Sequence, residues 1–169
     1  YNLIATGYSV TGIKNNSSSV SNQVYQNNIF NLEVNNPAGL VFGIQDATSG
    51  SDNSATYIYN NFISDLRAPI TNYADAIHGI DILYISNNSI VGLYFNTIYL
   101  NASSSALNFG STGIHHTYSV TATTATLDMR NNIIVNNSTP NGTGRTVALR
   151  RSESTSLANY GSASNNNNF

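Results

Sequence analysis

Asp81, His115 and Arg150 are the side chains of this sequence whose combined chemistry is easiest to name. A carboxylate that orients an imidazole beside a guanidinium can abstract a proton next to a uronate carboxylate and stabilise the anion that forms, which is lyase chemistry. The three are not chain neighbours: steps of 34 and 35 residues separate them, so the constellation exists only if the fold stacks those positions. Lys14 and Gln45 stand in the same phase and extend the column. The simpler reading is a polar ladder on a solvated wall, with opposite charges paired across strands for about a few tenths of a kcal/mol. Asp81, His115 and Arg150 are therefore catalytic candidates only, and a non-enzymatic protein is the expectation.

A second set is aromatic. Tyr59 and Tyr94, one coil apart and followed one coil later by Arg130, would offer flat faces for a sugar ring while phenols and guanidinium bond its hydroxyls. The structural alternative is a ring and cation stack that stabilises a sheet. Other chemistry finds less support. Asp46, Asp65, Asp75, Asp81 and Asp128 are spread along the chain, which assigns neither a Ca²⁺ site nor a paired acid and base. The adjacent His115 and His116 would point to opposite faces of a strand, a poor metal geometry. His78 reads as a hydrogen-bonded wall residue beside the interior. No metal and no cofactor is expected. The run Thr121 to Thr126 has the composition of an ice-binding surface, but such a surface needs it on coil after coil and it occurs once.

What would position these residues is a repeat. Asn28-Ile29-Phe30, Asn61-Phe62-Ile63, Asn96-Thr97-Ile98, Asn132-Ile133-Ile134 and Asn168-Phe169 return at steps of 33, 35, 36 and 36. Between them run Gly12-Ile13, Gly43-Ile44, Gly79-Ile80, Gly113-Ile114 and Ala148-Leu149, at steps of 31, 36, 34 and 35. Paired-helix repeats of similar period need Ala, Leu, Glu and Lys, whereas these segments hold Asn, Ser, Thr, Tyr and Ile. Aligned on the Asn, the positions three before it (Tyr25, Ile58, Leu93, Met129, Asn165) and two after it (Phe30, Ile63, Ile98, Ile134) read as interior columns. The Asn itself is placed at a corner, where its tolerance of left-handed backbone and its amide suit a ladder of stacked side chains through Asn28, Asn61, Asn96, Asn132 and Asn168. In the Gly-Ile strand the Ile faces in, and the glycines face out with the Lys14 to Arg150 column. Turn formers in Thr48 to Thr56, Asn101 to Thr112, Thr139 to Thr146 and Ser152 to Ser164 mark loops. The expected fold is all-β: a right-handed parallel β-helix of about five coils with three strands per turn and an Asn ladder, forming one domain over residues 1–169.

Composition narrows the partners. Charged residues are 8% of the chain and the formal net charge is -2, with the six cations dispersed, so nucleic acid is not expected. No apolar run approaches the roughly 20 residues of a membrane span, and no membrane insertion is expected. With no Cys there are no disulfides and no thiolate chemistry. Asn60-Asn61-Phe62-Ile63-Ser64-Asp65-Leu66, Tyr94 to Asn101 and Arg130 to Asn137 resemble the right-handed parallel β-helix regions of large surface proteins of Bacteroidota, which often end in a type IX secretion sorting domain. The resemblance implies a secreted or cell-surface location. It does not imply an activity, because the fold carries lyases, adhesins and passive stalks alike. The expected role is a structural and adhesive segment of a larger surface or filament protein. Its partners would be neighbouring coils or domains of the same chain, another copy by self-association, or a glycan. The alternatives are a pectate-lyase-like polysaccharide enzyme and a non-catalytic glycan-binding module.

Overall fold

The computed structural model describes residues 3–17, 19–47, 52–83, 86–117, 125–151 and 160–169. Parts of three expected features lie outside them: 48–51 and 152–159 of the turn-rich stretches, and 121–124 of the threonine run. The described residues form sixteen strands and no helix. All strand pairs are parallel, and they stack as the walls of a β-solenoid of about four turns. The first wall is short: β1 (Leu3–Ala5), β5 (Leu32–Val34) and β9 (Leu66–Arg67). The second is the Gly-Ile wall, with β2 (Ser9–Asn15), β6 (Leu40–Asp46), β10 (Tyr73–Ile82), β13 (Phe109–His116) and β16 (Thr146–Arg151). The third holds β3 (Ser21–Tyr25), β7 (Ala55–Tyr59), β11 (Ile90–Tyr94) and β14 (Thr126–Arg130). The fourth holds β4 (Asn28–Ile29), β8 (Phe62–Ser64), β12 (Thr97–Leu100) and β15 (Ile133–Asn136). The early coils thus carry one wall more than the three expected. The Asn101 to Thr112 loop is also shorter than expected, since Phe109 already belongs to β13.

Apolar columns in register fill the solenoid. Ile44, Ile80 and Ile114 stack in register on the Gly-Ile wall and are fully buried. Ile58 and Leu93 face them from the third wall, and Ile63 and Ile98 from the fourth, also with no exposure. β-branched side chains with few rotamers suit such columns, because each fits the pleat and the equivalent residue one coil away.

The Asn ladder is real, but two of its expected members are wrong. It runs Asn27, Asn61, Asn96, Asn132 and Asn167, each Nδ2 donating to the Oδ1 of the next at 2.9, 3.0, 3.0 and 2.8 Å. Asn28 instead pairs with Phe62 on an exposed strand position, and Asn168 bridges to Ile133. The offset moves every first-coil assignment by one. Val24 and Ile29 take the interior places, while Tyr25 and Phe30 are 47% and 43% exposed. The left-handed residue is likewise not the ladder Asn. It is the one before it, with Gln26, Asn60, Phe95, Asn131 and Asn166 at φ of 56, 55, 54, 55 and 52°.

The glycine column is also corrected. A Cβ on Gly43 would lie 2.5 Å from the Gly79 carbonyl oxygen and 2.6 Å from Ile63 Cγ2, and one on Gly79 would lie 2.6 Å from both the Gly113 oxygen and Ile98 Cγ2. These glycines therefore abut the core and the next coil rather than opening the outer wall. Pairing steps from Phe42↔His78 directly to Ile44↔Ile80, so the strand bends at the glycine and its two-residue alternation restarts there.

Candidate functional site

The bend decides what the Gly-Ile wall presents. Beyond the glycine, Lys14, Gln45, Asp81, His115 and Arg150 stand in register across five strands, the expected column. Before it, the restart in alternation brings His78 onto the same trough as Asp81. Pairing between Tyr73 and Ile77 of β10 is irregular, and Asp75, within that stretch, joins them. The resulting trough, about 760 Å³, is lined by these residues together with Phe42 and Tyr73. The expected dispersal of the aspartates is therefore wrong for Asp75 and Asp81, which flank one imidazole.

Asp81 is the hub. Its Oδ2 accepts from Gln45 Nε2 at 2.9 Å, and its Oδ1 lies 2.7 Å from His115 Nδ1 and 3.2 Å from His78 Nδ1. On the other side of His78, Asp75 Oδ2 stands 3.0 Å from Nε2. Asp75 is itself held by Thr112 Oγ1, donating at 2.7 Å, and by Arg150 at 2.8 Å. Arg150 thus reaches Asp75 rather than completing an Asp81, His115, Arg150 triad. The two carboxylates are close to His78 but off line, and neither ring nitrogen makes a well-formed hydrogen bond. Phe42 and His115 close over the ring, with centroids at 5.3 and 4.7 Å.

The electrostatics follow from these contacts. Burial disfavours a charged His78, yet Asp75 and Asp81 outweigh it and push its pKa up to about 9. Burial would raise the Asp81 pKa, but His115, His78 and Gln45 hold the carboxyl well below the usual range. For Asp75 burial is outweighed by His78 and Thr112, again below the ordinary value. At neutral pH both aspartates are anions around a cationic His78. His116 lies on the opposite face, as expected, and is fully buried. There burial, then Arg151 and His115, pull its pKa down to about 4, so it stays neutral.

The tyrosine wall is the second site. Tyr25, Tyr59, Tyr94 and Arg130 stand in register. The Tyr25 and Tyr59 rings stack at 5.0 Å and 2°, and the Arg130 guanidinium lies 5.6 Å from the Tyr94 centroid. Tyr94 folds across Gly92, where a Cβ would come within 2.6 Å of its ring, and donates to Asp128 Oδ2 at 3.0 Å. Burial and that carboxylate push its phenol up to about 12. A recess of about 310 Å³ lies between Gln23, Tyr57, Tyr59, Asn60, Tyr94 and Phe95. The sequence placed Tyr59, Tyr94 and Arg130 together correctly and missed Tyr25, which the one-residue offset hid.

No protein-family model, curated protein or solved structure matches this chain. The site's geometry is therefore what bears on its function.

Proposed function

We propose that the chain is a non-enzymatic, exported β-solenoid module of a larger surface or filament protein, holding a rigid shape and adhering through glycan contacts on its tyrosine wall. The observation that carries the adhesive part is Phe95. Its ring is 58% exposed and its φ is 54°, a left-handed conformation that costs a bulky residue about 1 kcal/mol or more. The equivalent places one coil away are Asn60 and Asn131, residues that tolerate that conformation. An aromatic held there beside the recess supports a role in contact: sugar C–H faces pack on rings, while Asn60 and Gln23 amides bond hydroxyls. Export is supported by the resemblance to Bacteroidota surface proteins, which suggests the type IX route. The non-enzymatic part is supported by the polar wall, where Asp75 and Asp81 are spent on neighbours of the same wall.

Affinity electrophoresis of the full chain through gels containing neutral and acidic polysaccharides tests this. At least one should retard the protein, and Phe95→Asn or Tyr59→Ala should restore free mobility with the fold intact by circular dichroism. Unchanged retardation in both variants would remove the tyrosine wall from the reading. Appearance of unsaturated uronate products from acidic polysaccharide would replace it with the enzyme reading.

A further inference from the structure

We infer that His78, Asp81 and His115 form a binding site for a divalent transition-metal ion of the zinc type on the trough of the Gly-Ile wall. One donor atom from each residue lies within 4.8 Å of the others. Zinc holds N and O ligands at about 2.0–2.1 Å in a tetrahedron, so ligand atoms around it stand roughly 3.3 Å apart. The His78 Nδ1 to Asp81 Oδ1 separation of 3.2 Å already matches that edge, the 2.7 Å from His115 Nδ1 needs to open by about half an ångström, and the edge between the two imidazoles, within 4.8 Å, needs to close by at most about 1.5 Å.

The surroundings of these ligands have the form of outer-sphere support. A metal-bound imidazole usually donates its other nitrogen to a carboxylate, which fixes its tautomer and orientation. Asp75 Oδ2 stands at that place, 3.0 Å from His78 Nε2, and is itself anchored by Thr112 and Arg150. Gln45 occupies Asp81 Oδ2 and leaves Oδ1 toward the two imidazoles. An independent sign comes from His78. Its ring is more than nine-tenths buried at 8% exposure, and its Nδ1, 3.2 Å from Asp81 Oδ1, makes no hydrogen bond of good geometry; the ion would take the place of the proton on that nitrogen. A buried nitrogen is expected to have a well-placed partner, and an ion among these donors supplies one to Nδ1. Two imidazoles and one carboxylate favour zinc, cobalt, nickel or copper over calcium and magnesium, which prefer all-oxygen sets. With three protein ligands, the fourth position falls to a water on the trough side.

The test uses the tag-free full chain after chelator treatment, titrated with Zn²⁺ and separately with Co²⁺. One equivalent should bind saturably, Co²⁺ should develop the visible bands of a tetrahedral site, and Zn²⁺ should abolish them. His115→Ala and Asp81→Asn should remove binding. Asp75→Asn, a positioning change, should weaken it roughly 10- to 100-fold. Should a variant fail to fold, protection of His115 from diethyl pyrocarbonate by Zn²⁺ in the unaltered chain decides the same question. No saturable binding, undiminished binding in the folded His115→Ala protein, or an unprotected His115 would each overturn the inference.

Discussion

Asn96→Leu is the sharpest perturbation of the scaffold, because the two side chains are close in volume and only the amide is lost. Asn96 Nδ2 donates to Asn132 Oδ1 at 3.0 Å and to the Ile58 carbonyl at 2.9 Å. Its Oδ1 accepts from Asn61 N at 3.2 Å and Asn61 Nδ2 at 3.0 Å. In the variant Asn61 Nδ2 keeps the Val24 carbonyl and Asn132 Oδ1 keeps the Asn96 N–H, so these lose one bond of two. The Asn61 N–H is left without this acceptor in a buried corner. One orphaned buried donor costs about 1–3 kcal/mol and each weakened partner about half to one more, against which the gain from burying leucine carbons is smaller. The expected loss is about 2–4 kcal/mol, seen as a fall in urea midpoint and, for a chain of this size, a drop in Tm of roughly 5–15 °C. Asn28→Leu is the control: an exposed residue one place off the ladder, expected to change stability by less than about 0.5 kcal/mol. Equal losses in the two variants would refute the ladder as the source of the effect.

Phe95→Asn should stabilise the chain by about 1 kcal/mol, read as a raised urea midpoint, because Asn adopts the left-handed backbone with less strain. Gly79→Ala should cost about 2–4 kcal/mol, since its Cβ would meet both the Gly113 oxygen and Ile98 Cγ2 at 2.6 Å; a change near zero would mean the wall opens easily at the bend. With chelator present, the raised pKa of His78 contributes stability that is complete below about pH 6.5 and is lost as pH rises through about 9, at most about 3 kcal/mol. His78→Gln should flatten that alkaline limb in denaturant titrations across pH. On the acid side His116, whose pKa falls to about 4, acts in the opposite sense and loses its contribution as pH drops below about 6.5, so His116→Phe should soften the acid limb.

The fold was legible because each coil must repeat what the coil below it does. Ile44, Ile80 and Ile114 recur at one phase, and a parallel stack is the arrangement that lets one apolar type fill a column with itself. The register failed where the repeat is written in a single letter. In Asn27-Asn28 and in the terminal run Asn165 to Asn168, amide residues stand side by side, and aligning on the Asn before two apolar residues chose the wrong one. The decision belonged to the pair Ile29 and Phe30: only the first can enter the interior opposite Gly12, where Ile29 Cγ2 would be 2.6 Å from an added Cβ, while Phe30 stays exposed. The same glycines carried the signal for the polar trough. A glycine returning at four successive coils marks a bend, and strict alternation through it turned His78 inward and separated it from Asp81.

Both candidate sites sit where the repeat departs from itself. At the left-handed corner the chain uses Gln or Asn in four of five places and Phe95 in the third. On the Gly-Ile wall, β10 is the longest strand, at ten residues, and its irregular start is what delivers Asp75 to His78. The stacking of the walls requires neither departure. The interior columns beneath Phe95 and β10, Leu93, Ile98 and Ile80, are as fully buried as those of neighbouring coils, so the outer residues can change without altering the core. In a solenoid the inward positions are fixed by the neighbouring coil and the outward ones are not. An outward position that breaks the column at a conformational cost, as Phe95 does, or that confines an imidazole between two anions, as β10 does, therefore owes its identity to something other than the fold.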